Sequence, residues 1–145
     1  MKKSLLMLAF LLLPVADCAA ATHMGKAHNM ADRRISLGLS DEMRHHQLSN
    51  MREHLAAVQK ITGLLAEKKF DQAAKIARFQ LGLTEEMQQM CGKFENEEFK
   101  SLGLAFHTSG DELADALKAR NMRKSLKALN KTLSYCVQCH EKFQQ

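Results

Sequence analysis

After Pro14 the chain contains no further proline, and no stretch alternates apolar and polar residues as a half-buried strand would. Both absences point away from a sheet protein and toward helices joined by short connections. Lysine and arginine form no run or stripe. The formal charge of +5 is dispersed, which excludes the usual electrostatic footprint of a nucleic-acid binder. No apolar run is long enough to cross a bilayer, since Leu5 to Leu13 falls well short. Cysteine is scarce, at 4 residues, and there is no second C-x-x-C and no H-x-x-x-H pair.

The chain begins MKKSLLMLAFLLLPVADCAAA. Lys2 and Lys3, the apolar run and the A-x-A of Ala19 and Ala21 describe a secretory signal peptide over residues 1–21, cut after Ala20 or Ala21. Cys18 also suggests a lipoprotein cysteine, but Asp17 stands where such sites carry a small residue. The expectation is export to the periplasm of a Gram-negative bacterium, with no stable membrane insertion after cleavage. The remaining length suits one domain with one core. Residues 22–39 show no sustained period and read as an N-terminal arm, with His23, His28 and Met30 in a solvated tail.

From residue 40 onward the apolar spacing is helical. Ser40 is a good N-cap for a first helix reaching about Glu67, with Met51, Leu55, Val58, Ile61 or Thr62, and Leu65 on one face. A second helix, with Asp71 as its cap, is expected from Phe70 to Cys91, closed by Gly92, although Gly82 interrupts its pattern. A third lies between Glu97 and Arg120, where HTSGD (107–111) can break it in two. The fourth runs from Met122 to Phe143, with Leu126, Leu129, Leu133, Cys136 and His140 on one stripe. The fold class expected is all-α, an antiparallel four-helix bundle over residues 40–145.

The fourth helix carries CVQCH, residues 136–140. C-x-x-C-H is the attachment signature of haem c. Two thiols three positions apart can add across the two vinyl groups of one porphyrin, and the next residue is then placed as proximal ligand. Cys136 and Cys139 are thus the candidate covalent haem cysteines and His140 the candidate iron ligand. Zinc would need further ligands, drawn from Cys91, His107, His45, His46 or His54. A thioredoxin-like pair would need βαβ alternation, which is absent. Cys91, between Met90 and Phe94, reads as a buried thiol or, alternatively, as one half of an intermolecular disulfide.

A C-x-x-C-H near the end of the last of four helices, followed by an aromatic as in CVQCHEKF, resembles the cytochrome c′ family. The resemblance covers about residues 40–145 and, outside the last helix, is one of pattern. It implies a four-helix bundle holding one covalent haem c, redox partner proteins, and a homodimer formed through the first two helices as in many members. One departure is Gln144, where the family often has a basic residue four positions after the haem histidine. That weakens the gas-handling functions of the family for this chain.

The family divides on its sixth ligand, which is apolar in the high-spin branch and methionine in the low-spin branch. Aligned on Gly63 and KKFDQAA, the first helix puts Met51 at that position. A methionine on an apolar stripe is also ordinary core packing, and His54, Met43, His45 and His46 are rivals. His45 and His46 sit in a polar run beside Arg44, and His107 near the expected helix break. The function expected is a periplasmic electron carrier, not an enzyme, with His140 and Met51 as axial ligands. The alternatives are a five-coordinate gas-binding protein with an open distal side, and a sensor or structural haem module linked through Cys91.

Overall fold

The computed structural model describes residues 31–145. The expected signal peptide and most of the arm, including Cys18, His23, His28 and Met30, lie outside the described residues. The chain divides into residues 1–32 and 33–145, and the second unit holds every element named below.

Short polar side chains start most of the helices. Ser40 accepts the Met43 N–H at 3.2 Å and opens α1 (Asp41–Ala66). α2 (Phe70–Ile76) has no side-chain cap; Lys69 stands at its N-cap, while Asp71, expected to cap it, lies in the first turn and pairs with Arg120. Thr84 opens α3 (Glu85–Gly92), Asn96 opens α4 (Glu97–Lys118) and Asn121 opens α5 (Met122–Lys142), accepting backbone N–H bonds at 3.1, 2.9 and 3.0 Å. Each such cap satisfies an otherwise orphaned donor and stabilises by about 1 kcal/mol.

The second helix differs from the expected one. α2 runs into a single π-helical turn, Ala77–Leu81, and stops at Gly82, whose backbone is extended. A side chain at Gly82 would meet the Arg78 carbonyl and the Asp111 carboxylate. Asp111 accepts the Leu83 N–H at 3.1 Å and pairs with Arg78 at 2.6 Å, so the break is pinned from α4. The third helix differs in the opposite sense, being unbroken through HTSGD. The Ser109 hydroxyl donates to the Phe106 carbonyl at 2.6 Å, so this polar residue is satisfied within the helix. Gly110 lets Leu81 approach: a Cβ there would stand 2.5 Å from the Leu81 carbonyl oxygen.

Paired contacts give the helix directions. Between α4 and α5 they run Glu98 with Lys142, Ser109 with Thr132 at 3.1 Å, and Ala116 with Ser125 at 3.4 Å. Along α2 and α4, Asp71 at the start of α2 pairs with Arg120 just past the end of α4, and Arg78 on the π turn pairs with Asp115 at 2.5 Å. Rising numbers meet falling ones, so both pairs are antiparallel. The described residues form an all-α arrangement of four helical stretches, the second broken into α2 and α3.

The main core takes Ile61 and Leu65 from α1, Leu81 from the π turn, Leu113 and Leu117 from α4, and Leu129 from α5. The expected stripes are kept in part: Ile61 and Leu65 of α1 and Leu129 of α5 enter the core, while Met51, Leu55 and Val58 of α1 and Leu133, Cys136 and His140 of α5 line a cavity. On α5 the buried positions are Ser125, Leu129 and Thr132, with both hydroxyls hydrogen-bonded, while Leu126 and Leu133 are exposed. On α1 the buried positions are Ala57, Ile61 and Leu65, and Leu55 is 70% exposed.

A second apolar cluster closes one end of the bundle. Phe99 meets Phe94 and Phe143 edge-on, at centroid distances of 4.7 and 5.3 Å, and Leu37, Leu39 and Met43 pack around them. This holds two very short strands together, β1 (Ile35–Ser36) and β2 (Phe143–Gln144), paired in parallel with Ile35 opposite Phe143. No alternating pattern announces them. They pair because the aromatic cluster seats Phe143 beside the segment that leads into α1.

Candidate functional site

Cys136, Cys139 and His140 lie on the last turns of α5, where spacings of three and four residues bring side chains together. All three line one cavity of about 420 Å³. Met51, His54 and Val58 of α1 line it as well, α3 contributes Met87, Met90 and Cys91, and α4 contributes Gly103, Phe106 and His107. The wall is mainly apolar. A smaller cavity of about 230 Å³ shares Leu48, Met51, Phe99, Cys139 and His140 with it and adds Arg34, Gln144 and Gln145.

Cys136 and Cys139 are half-buried and His140 is exposed. Arg34 donates to the His140 carbonyl at 3.2 Å, tying the segment before α1 to the end of α5. The thiols are the reverse of activated. Burial raises Cys136, and burial followed by the neighbouring Cys136 pushes Cys139 up to about 11. A thiol–disulfide exchanger works with lowered thiol pKa values, so this pair does not suit that chemistry.

Met51 is half-buried, and its Sδ accepts a long contact of 3.6 Å from the Gln145 side-chain amide, a pairing no sequence pattern signals. The Gln145 Oε1 atom is buried without a partner among the described residues. His54 packs against Phe106 at 4.9 Å and against the edge of His107 at 5.3 Å. Burial, and then the neighbouring His107, lowers its pKa to about 4, so it is neutral at ordinary pH.

His107, read from the sequence as a residue near a helix break, is instead 5% exposed in the middle of α4. It faces the Leu81 carbonyl through Nδ1 at 2.9 Å. A carbonyl only accepts, so Nδ1 carries the proton there. Burial lowers the His107 pKa, opposed in part by the Leu81 and Gly82 carbonyls and by Asp111. His45 is exposed, and His46 is half-buried against Asn50 at 3.1 Å. Cys91 is buried, and burial raises its pKa; a Cβ at Gly103 would come within 3.2 Å of its sulfur.

The donor set fits a covalently attached haem: two thiols at attachment spacing, an adjacent imidazole, a thioether on another wall, and an apolar lining. A closed zinc site fits poorly, because among the described residues no three His, Cys, Asp or Glu side chains are grouped closely enough to hold one metal ion. No described helix is long and apolar enough to cross a membrane. Compared with family models, with curated proteins and with solved structures, the chain finds no match. Its function is therefore argued from its own residues.

Proposed function

We propose that the protein is a periplasmic mono-haem c-type cytochrome that carries electrons, resembling the low-spin branch of the cytochrome c′ family. The observation that carries this is the convergence of Cys136, Cys139, His140 and Met51 on one apolar cavity. In this reading Cys136 and Cys139 hold the porphyrin as thioethers, His140 is the proximal ligand and Met51 the distal one. When bound, haem c supplies a one-electron couple at its iron. The protein's part is to fix both ligands and exclude water, which lowers reorganisation on electron transfer. His/Met ligation raises the reduction potential relative to two histidines. The leader supports the location, because haem attachment takes place outside the bacterial cytoplasm.

The test is the optical and magnetic spectrum of the purified holoprotein, oxidised and reduced, with and without carbon monoxide. Low-spin spectra indifferent to carbon monoxide, with a methionine-sulfur charge-transfer band that disappears in Met51→Ala, support the reading. A high-spin spectrum that shifts at once with carbon monoxide in wild type replaces it with the gas-binding alternative. Replacing both Cys136 and Cys139 with serine should abolish covalent haem altogether.

A further inference from the structure

We propose that His54 is a second axial ligand held in reserve one turn from Met51, so that loss of the thioether leaves the distal side closed. This rests on the reading of the cavity as a haem site. Met51 and His54 are three residues apart on α1 and line the same cavity as Cys136, Cys139 and His140. The two side chains are held differently. Among the described residues the one hydrogen bond to the Met51 sulfur is the 3.6 Å contact from Gln145, and a thioether is a weak acceptor. The His54 ring is wedged between Phe106, tilted 42° to it, and the edge of His107. His107 is itself anchored to Leu81, so the wedge is built on the π turn and α4.

Among the described residues, His54 makes only ring contacts, and neither ring nitrogen has a hydrogen-bond partner. A neutral imidazole with a free nitrogen lone pair is a good ligand for iron. His107 takes this role less readily: its Nδ1 bond to Leu81 leaves Nε2 free, but the ring is nearly fully buried whereas His54 is half-buried. The cavity thus offers a thioether from Met51 and, three residues on, an imidazole whose ring is held by Phe106 and His107. Exchange between them would move the potential downward without opening the iron to gases.

The experiment uses covalent holoprotein of wild type, Met51→Ala, His54→Phe and the double variant, read by electron paramagnetic resonance, carbon monoxide binding and midpoint potential. His54→Gln serves as a second replacement should His54→Phe fail to fold. The expected result is that Met51→Ala stays low-spin, ignores carbon monoxide and has a lower potential. The double variant should be high-spin, bind carbon monoxide, and return to low-spin on adding imidazole. His54→Phe alone should keep the wild-type spectrum. A Met51→Ala protein that is high-spin and binds carbon monoxide at once overturns the proposal while leaving Met51 ligation intact. A wild type already open to carbon monoxide overturns both. If His54→Phe alone opens the iron while Met51→Ala changes nothing, the reserve role is overturned and His54 is the primary ligand.

Discussion

Replacing Gly110 with alanine should destabilise the protein, although glycine to alanine inside a helix normally stabilises. Gly63 provides the internal comparison. It lies exposed in α1, and a Cβ there meets nothing within 4 Å. Gly63→Ala should therefore return the helix-propensity difference, about 1 kcal/mol. At Gly110 the same propensity gain meets a wall. The new Cβ would stand 2.5 Å from the Leu81 oxygen, 2.6 Å from its carbonyl carbon and 2.9 Å from the Gly82 nitrogen. All three are backbone atoms, so no side chain can swing away, and α4 must separate from the π turn by about 1 Å to restore ordinary contact. That shift strains the bonds that cross there, His107 to Leu81 and Leu83 to Asp111. Overpacking costs about 1–3 kcal/mol and each weakened hydrogen bond about 1 kcal/mol. Net of the propensity gain, Gly110→Ala should lose about 2–4 kcal/mol, placing it about 3–5 kcal/mol below Gly63→Ala. Urea unfolding of the holoproteins followed by far-ultraviolet circular dichroism measures the difference, provided the slope is unchanged. Equal midpoints for the two variants would refute the packing argument.

Other outcomes follow from the same contacts. His54 has a folded pKa of about 4 against an ordinary 6.5, so the unfolded chain takes up the proton first as pH falls. Stability is full above about pH 6.5 and is lost toward pH 4, by up to about 2 kcal/mol once partial exposure is allowed for. Urea midpoints at pH 7 and pH 5 should lie closer together in His54→Phe than in wild type, the buried His107 leaving a smaller dependence of the same sign. Asp111→Ala removes the partner of Arg78 and the acceptor for the Leu83 N–H, and should cost about 2 kcal/mol in the same assay. Phe143→Ala deletes the edge contact with Phe99 and should cost about 3 kcal/mol. It should also release β1 from β2, so that trypsin cuts after Arg33 or Arg34 faster than in wild type.

Local chemistry is what the sequence determined about this protein. Ser40 caps α1, the helix over Met122–Lys142 follows its spacing, and Cys91 is buried, because caps and helical periods act over a few residues. The grouping of Cys136, Cys139 and His140 is equally local, since residues three and four apart on a helix are neighbours. Tertiary structure decided the rest. The sequence alone makes HTSGD a candidate break and Gly82 a blemish in a continuous helix. The fold reverses them, because Gly110 and Asp111 are needed on an intact α4 to receive Leu81 and Leu83. Which stripe positions enter the core, as Ile61, Leu65 and Leu129 do, and which line the cavity, as Leu55 and Leu133 do, reflects which neighbours those helices found. The cavity itself, with Met51 and His54 on one wall and the cysteines on another, exists only once α1, α3, α4 and α5 are assembled. A lone histidine such as His107 carries no local sign of burial; packing alone put it there, with Leu81 as its hydrogen-bond partner.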